Sequence, residues 1–188
     1  MPNVYDFDKT VAYRDGEVTF FLFCLRRHFF RLLRFLPRMG LETFRYEAKT
    51  RRGITPKGEL YHYLRGLPDW REEADLFWQS KADVMLKPWY LAQLRPDDII
   101  ISSSPEFLLR PLCDRLGVRV VGTLVDTRAG RVEGLSCFGE EKVRRLREAF
   151  GEVEIEEFYS DSLSDWHLAG LARRAWLVTG DGRIPWPE

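Results

Sequence analysis

Cysteine is scarce in this sequence, and charge of either sign is not in excess. The chain has three cysteines in 188 residues, widely spaced and without a Cys-x-x-Cys pair. This pattern argues against a disulfide framework or a zinc site and favours a reducing, cytoplasmic setting. Lys and Arg together number 29, as do Asp and Glu. The whole chain therefore does not have the basic surplus of a nucleic-acid-binding protein, and we expect no nucleic-acid partner.

Long apolar runs are also missing. No uncharged stretch reaches the ~18–20 residues that a membrane-spanning helix needs, and the start of the sequence does not have the pattern of a signal peptide. Apolar and aromatic residues are nevertheless plentiful, at 45% and 14%, which is enough for a buried core. The length predicts one domain, or one domain with a modest insertion.

The most informative segment is Asp6-Phe7-Asp8-Lys9-Thr10, which follows a short β-prone start. Residues two apart in an extended segment face the same side, so we expect Asp6 and Asp8 to share one face where the strand ends. Crowded carboxylates repel each other, which raises a pKa, and such a pair typically holds a cation or performs acid–base chemistry. A strand followed by a turn with chance acidic residues is the alternative.

The second half of the chain alternates strand-like runs with amphipathic helices. Strands are predicted at 99–101, 118–121, 154–159 and 175–178, with a hairpin at 125–134, and helices at 104–116, 139–150 and 163–173. Ser104 is the predicted N-cap of the first of these helices. The alternation predicts an α/β fold, a Rossmann-like three-layer sandwich with a central parallel sheet covered by helices on both faces.

The segment from 18 to 94 has a different pattern, because it is predicted to be mostly helical. The helical pieces are predicted at 18–36, 41–52, 56–65, 70–82 and 88–94. Since this segment lies between the first and second strands, we interpret it as a helical cap inserted over the carboxyl edge of the sheet. Residues 1–17 and 95–188 then form the core domain.

Polar side chains follow several of the predicted strands, and ligands of open parallel sheets bind beyond the carboxyl ends of the strands. We therefore expect one cluster of carboxylates, hydroxyls and an amine at this edge. Its candidate members are Asp6, Asp8, Thr10, Ser102, Ser103, Lys142, Asp161 and Asp165.

These motifs, in this order, resemble those of the haloacid dehalogenase superfamily of phosphohydrolases, in the branch (subfamily IB) similar to phosphoserine phosphatases. Asp6-Phe7-Asp8-Lys9-Thr10 matches the first motif, and Ser102 matches the second. Lys142 matches the third motif, and Asp161 with Asp165 matches the fourth. The resemblance covers nearly the whole chain, with the insertion where such caps occur.

The resemblance implies a role for each matched residue. Asp6 would be the nucleophile that forms an aspartyl-phosphate, and Asp8 the general acid and base. Mg²⁺ would be held by Asp6, Asp161 and the backbone carbonyl of Asp8. The phosphoryl oxygens would be bound by Ser102, Ser103 and Lys142, and Thr10 and Asp165 would support the carboxylates.

Some of these residues have other interpretations, and some depart from the family pattern. Ser102 could cap the following helix, and Asp165 lies three residues after Ser162, which is the spacing of a capping box. Ser160 and Ser162 replace common glycines of the fourth motif, and Lys9 also occupies a position where glycine is frequent. We interpret Gly180-Asp181-Gly182 as a turn.

The substrate is the least determined feature. Between Arg26 and Arg65 there are eleven Lys or Arg residues and three acidic ones, and the first part of this stretch mixes arginines with aromatic residues. If Phe20, Phe23, Phe30 and Leu33 form the core of the cap, the substrate is a small soluble phosphomonoester. If this stretch lies on an anionic membrane surface, a lipid phosphate such as phosphatidylglycerophosphate is the alternative. A third hypothesis is a non-catalytic binding module.

Overall fold

The computed structural model describes residues 1–37 and 60–187. The helices of this part are α1 (Gly16–Arg27), α2 (Phe29–Leu32), α3 (Trp70–Met85), α4 (Pro88–Gln93), α5 (Glu106–Leu116), α6 (Glu140–Phe150) and α7 (Trp166–Ala169). Its strands are β1 (Val4–Tyr5), β2 (Ile99–Pro105), β3 (Arg119–Thr123), β4 (Val125–Asp126), β5 (Arg131–Val132), β6 (Ile155–Ser160), β7 (Ala172–Thr179) and β8 (Gly182–Pro185). Short 3₁₀ turns occur at Leu33–Phe35, His62–Gly66 and Leu163–Asp165.

Six strands form one sheet in the order β3-β2-β1-β6-β7-β8. The first five are parallel to their neighbours, and β8 adds an antiparallel edge. β1 is central, with Tyr5 opposite Ile100 on one side and Tyr159 on the other. The carboxyl end of β1 therefore lies between those of β2 and β6, as the α/β prediction requires.

Helices cover both faces of the sheet. Alternate residues of β1 and β2 enter two separate apolar cores: Tyr5 and Ile100 pack with α5 and the cap, whereas Val4 and Ile99 pack with α6 and α7. This alternation follows from the pleat of a strand buried on both faces. The predicted three-layer α/β architecture is confirmed.

The prediction for the core needs three corrections. Ser104 is not a helix N-cap, because β2 continues to Pro105 and the helix begins at Glu106. The predicted helix at 163–173 is wrong, because α7 ends at Ala169 and β7 begins at Ala172. The edge strand β8 was not predicted, although Gly180-Asp181 does form the turn that precedes it.

The cap differs in detail from its prediction. The helix predicted at 18–36 is broken at His28, which ends α1 and begins α2. The pieces predicted at 70–82 and 88–94 correspond to α3 and α4, whereas the piece at 41–52 and the start of that at 56–65 lie outside the described residues.

The chain passes between core and cap through two adjacent segments. Ala12 pairs with Leu86 in an isolated antiparallel bridge, and the backbone N–H of Tyr13 donates to the Met85 carbonyl at 2.8 Å. The backbone N–H of Lys87 donates to the Val11 carbonyl at the same distance. The division at residues 18 and 94 stays a prediction. Within the described residues, every helix is too short or too polar to cross a bilayer.

Candidate active site

The segment after β1 forms a tight turn that places two carboxylates at the sheet edge. The N–H of Asp6 still bonds to the Tyr159 carbonyl of β6 at 2.8 Å, so Asp6 is held by the sheet itself. The turn Phe7–Val11 then contains Lys9 at φ 60°, the left-handed region that non-glycine residues rarely adopt. This conformation costs a small amount of free energy, which contacts with the surrounding residues must offset.

Lys142 joins two carboxylates beneath this turn. Its Nζ lies 2.7 Å from Asp6 Oδ1 and 2.7 Å from Asp165 Oδ2, and all three residues are buried. The hydroxyl of Ser160 also donates to Asp165 Oδ2, at 2.7 Å. Asp165 therefore does not form the capping box considered above, since its carboxylate points to Lys142. Pairing of this kind offsets the high free-energy cost of burying charges.

Thr10 lies between the first and fourth motifs. Its Oγ1 is 3.3 Å from Asp6 Oδ2 and 3.4 Å from Asp161 Oδ1, and it accepts a hydrogen bond from the Asp161 N–H at 2.9 Å. A hydroxyl has one proton and can donate to only one of the two carboxylates at a time. Two carboxylate oxygens thus share one weak donor, which leaves room for a cation.

Asp8 is held through both of its oxygens. The N–H of Gly16, at the start of α1, donates to Oδ1 at 2.7 Å, and the Ser104 hydroxyl donates to Oδ2 at 2.6 Å. Ser102 Oγ lies 3.4 Å from Oδ2 and accepts the Ser104 N–H at 3.0 Å. Position 16 leaves little room for a side chain, because a Cβ there would lie 3.2 Å from the Phe7 ring, although its 3.5 Å distance from Asp8 Oδ1 would be an ordinary contact.

Burial dominates the electrostatics of the site. Desolvation raises the pKa of Asp8 to about 7, with the nearby Asp15 carboxylate adding to the shift. Desolvation also raises the pKa of Asp6 and of Asp161, although the Lys142 ammonium opposes the shift at Asp6. The pKa of Lys142 is raised as well, because its two carboxylate partners outweigh the effect of burial. In the protein without a cation, the ionised forms of Asp6, Asp8 and Asp161 are thus disfavoured.

A second buried lysine fixes the turn from the side of the cap. Lys87 is 2% exposed, and its Nζ donates to the carbonyls of Lys9 and Gly180, each at 2.6 Å. Burial lowers the pKa of Lys87, and the nearby carboxylates of Asp181 and Asp161 oppose this shift. Lys87 therefore ties Lys9, the strained residue of the Phe7–Val11 turn, to the β7–β8 turn.

The site has the donor set that Mg²⁺ prefers, but not a cage of side chains. Among residues 1–37 and 60–187, no group of three or more His, Cys, Asp or Glu side chains has metal-binding geometry. Mg²⁺ typically takes one or two carboxylates and keeps several waters. The carboxylates of Asp6 and Asp161, which converge on Thr10, and the nearby backbone carbonyl of Asp8 match this coordination preference.

The structure brings most of the predicted residues into direct contact. Asp6, Lys142 and Asp165 form one connected group, Thr10 links Asp6 to Asp161, and Ser102 adjoins Asp8. Ser103 lies beside them on β2, where its carbonyl accepts the Thr123 hydroxyl at 2.7 Å. Four contacting residues were not predicted from the sequence as members of the site: Gly16, Lys87, Ser104 and Ser160.

Comparison with known proteins gives the family. Residues 4–170 match the model of the haloacid dehalogenase-like hydrolase family, which is most of the chain. The protein belongs to this family. As a family member, it is a hydrolase with an α/β fold, and the resemblance inferred from the four motifs is confirmed.

Relatives and solved structures agree with this assignment at lower identity. Protein CicA, from two strains of Caulobacter vibrioides, is 27% identical over 184 residues, which cover 89% of this chain and 81% of CicA. A Bordetella pertussis Tohama I protein of unknown function superposes with a TM-score of 0.72 at 20% identity, covering 93% of this chain and 87% of that one. A phosphoserine phosphohydrolase-like protein from Francisella tularensis superposes with a TM-score of 0.52 at 17% identity, with 93% and 86% covered. At these identities, the solved structures support the fold alone.

Proposed function

We propose that this hydrolase is a Mg²⁺-dependent phosphatase that cleaves phosphomonoesters of small metabolites through an aspartyl-phosphate on Asp6. The observation that carries the proposal is the convergence of two differently held carboxylates: Asp6 is paired with an ammonium, and Asp8 accepts neutral donors. Cytoplasmic location is part of the proposal, and the three cysteines are free and buried.

Asp6 is the nucleophile in this account. One of its carboxylate oxygens attacks phosphorus, and the bond from phosphorus to the leaving oxygen breaks. Lys142, 2.7 Å from Asp6 Oδ1, orients the carboxylate and offsets the negative charge that the phosphoryl group brings into a buried site. Asp165 keeps the ammonium in place by accepting a hydrogen bond from it at 2.7 Å, and the Ser160 hydroxyl in turn donates to the same Asp165 oxygen.

Asp8 transfers protons in both halves of the reaction. In its acid form it gives a proton to the leaving oxygen, and the resulting carboxylate then takes a proton from the water that attacks the aspartyl-phosphate. A pKa of about 7 suits both tasks near neutral pH. In this account Ser102, whose Oγ lies 3.4 Å from Asp8 Oδ2, donates to a phosphoryl oxygen, and the neighbouring Ser103 of β2 is the second phosphate ligand.

Bound Mg²⁺ would be held by Asp6, Asp161 and the Asp8 carbonyl, and it would neutralise phosphoryl charge and orient the substrate. Thr10 keeps the carboxylates of Asp6 and Asp161 close to each other, because both lie beside its hydroxyl. A non-catalytic binding module is disfavoured, because this many buried charged groups cost stability when they have no function to perform.

The direct test is a screen of phosphorylated metabolites against the wild type and Asp6→Asn, with and without Mg²⁺. We expect wild-type release of inorganic phosphate from at least one ester and a fall to background in Asp6→Asn. Asp97→Asn is the matched control, because the Asp97 side chain is 51% exposed and lies away from the turn. An Asp6→Asn protein that kept wild-type turnover would contradict the proposal.

A further inference from the structure

The cap exposes an apolar cluster just after α1. Phe30 is 89% exposed, Leu33 is 49% exposed and Phe29 is 47% exposed. The rings of Phe29 and Phe30 meet edge to face with their centroids 5.6 Å apart. The interpretation in which Phe30 and Leu33 form the core of the cap is therefore wrong, although Phe20 is indeed buried.

Packing of the neighbouring residues fixes this outward orientation. The helix breaks at His28, whose ring contacts the buried Glu73 carboxylate at 2.8 Å. The short helix α2 then turns Leu32 inward, where it is fully buried against Gly66. A side chain at position 66 would not fit, because a Cβ there would lie 2.7 Å from Leu32. With Leu32 anchored, Phe30 and Leu33 are held in solvent.

Exposed arginines surround these apolar side chains. Arg26, Arg31 and Arg34 are all exposed, and none forms an ion pair with any residue of 1–37 or 60–187. Arg27 differs, since its guanidinium is paired with Glu73 at 2.8 Å. We use the name cap tip for the exposed set, which comprises Arg26, Phe29, Phe30, Arg31, Leu33 and Arg34.

We propose that the cap tip docks onto an anionic lipid bilayer. Phe29, Phe30 and Leu33 would enter the boundary between head groups and acyl chains, while the three arginines meet lipid phosphates. Aromatic and leucine side chains flanked by arginines are the composition that binds at this interface, and each nearby basic residue adds electrostatic attraction. Anionic lipid also supplies a negative charge that Arg26, Arg31 and Arg34 do not find among residues 1–37 and 60–187.

The shape of the cap tip favours a bilayer over a protein partner. A stable protein interface buries about 800 Å² on each partner and places its aromatic anchors in fitted pockets. The cap tip instead presents a projecting ring on a helix of four residues. This inference goes beyond the proposed function, on which its consequence for substrate rests: a phosphatase held at a bilayer would reach phosphomonoesters carried by lipids as well as soluble ones.

Vesicle co-sedimentation tests the docking without using turnover. We expect the wild type to sediment with vesicles of equal parts phosphatidylglycerol and phosphatidylcholine at low salt, and not with pure phosphatidylcholine. Salt at about 0.5 M should release it, since screening shortens the range of these attractions. The triple variant Arg26→Gln, Arg31→Gln and Arg34→Gln should bind on the order of 100-fold more weakly. Phe30→Ser should weaken binding roughly tenfold.

Matched controls separate docking from general charge and folding. Arg144→Gln and Leu135→Ser change an exposed arginine and an exposed leucine far along the chain, so both should sediment like the wild type. Unchanged melting temperatures would show that each cap-tip variant is folded. A wild type that ignores anionic vesicles at low salt would overturn the inference. So would self-association that Phe30→Ser abolishes in the absence of lipid, because the occupant would then be a second copy.

The outcome for docking is distinct from the outcome for chemistry. Hydrolysis of p-nitrophenyl phosphate should be the same in the wild type and in the cap-tip variants, because the cap tip does not include any residue of the Phe7–Val11 turn. A wild type that hydrolyses the ester but does not bind anionic vesicles would leave the phosphatase proposal standing and overturn only the docking. Vesicle binding by a protein that hydrolyses no ester would do the reverse.

Discussion

Ser104 Oγ donates a hydrogen bond to Asp8 Oδ2 over 2.6 Å, although the two residues are 96 positions apart. The contact exists because β2 extends to Pro105 and brings the third serine of its Ser-Ser-Ser run level with the Phe7–Val11 turn. A hydroxyl can donate to a carboxylate and accept from a carboxylic acid. Ser104 can therefore stay bonded to Asp8 in both protonation states that the proposed general acid–base role of Asp8 needs.

Replacing Ser104 should move the pH dependence of turnover. In Ser104→Ala, the ionised form of Asp8 loses a donor, so the pKa of Asp8 should rise further, by about one unit. In a plot of rate against pH, both limbs that report the ionisation of Asp8 should then shift to higher pH. A pH–rate profile with a soluble alkyl phosphate measures this shift, and Ser80→Ala on α3 serves as the control. A profile identical to that of the wild type would show that the contact has no effect on Asp8.

Asp8 should also affect stability in a pH-dependent way in metal-free protein. Desolvation raises the folded-state pKa of Asp8 to about 7, above the unfolded value of about 3.9. Between these two values the folded state retains a proton that the unfolded state has lost. The contribution of Asp8 to stability therefore falls as pH rises from about 4 to about 7. Asp8→Asn removes this loss.

Urea unfolding in EDTA at several pH values checks the expectation for Asp8→Asn. The variant and the wild type should be close in stability near pH 4, and the variant should be more stable by about 1–2 kcal/mol near pH 8. A difference that stayed constant with pH would show that Asp8 is not protonated more readily in the folded state.

Asp161→Ala should weaken Mg²⁺ binding by at least about tenfold, because one of the two proposed carboxylate ligands is lost. Mg²⁺ that binds only the folded state raises the melting temperature of the wild type, and this rise should be much smaller in the variant. Without metal, the variant should be at least as stable as the wild type, since the raised pKa of Asp161 shows that its charge is disfavoured. An equal metal-induced rise in both proteins would contradict the ligand assignment.

Lys87→Met tests whether the cap fixes the conformation of the Phe7–Val11 turn. The substitution leaves the Lys9 and Gly180 carbonyls without their donor, which should destabilise the protein by about 1–3 kcal/mol. Because Lys9 is in a strained conformation, we also expect kcat to fall more than KM rises. Lys81→Met, at a partly exposed site of α3, is the control. A stable variant with unchanged kcat would show that the turn holds its shape without Lys87.

Sequence patterns predicted the site better than they predicted its surroundings. Asp6, Lys142 and Asp161 could be placed together because each follows a strand or begins a helix at one edge of a parallel sheet. Ser104 was misinterpreted, since Ser-Pro-Glu is also the pattern of a helix start, and only the length of β2 decides between the two. Lys87 contacts backbone carbonyls, which have no sequence signal.

A break in one helix and the pairing of two strands account for the other differences between prediction and structure. Phe20, Phe23 and Phe30 have the spacing of one helical face, but the break at His28 changes the phase, and Phe30 emerges into solvent. Leu163 to Arg173 has a helical pattern, yet β7 takes its last residues because pairing with β6 completes the sheet. No strand was predicted after Gly180-Asp181-Gly182; Pro185 is tolerated in β8 because β8 is an edge strand.

The central claim, that Asp6 becomes phosphorylated, is tested most directly by intact-protein and peptide mass spectrometry of Asp8→Asn. With Mg²⁺ and an ester that has a good leaving group, the first step needs no proton donor, whereas breakdown of the aspartyl-phosphate still needs the base. The account predicts one added phosphoryl group per chain, located on Asp6 and absent from the Asp6→Asn/Asp8→Asn double variant. A phosphoryl group on another residue, or none under conditions in which the wild type turns over the same ester, would contradict it.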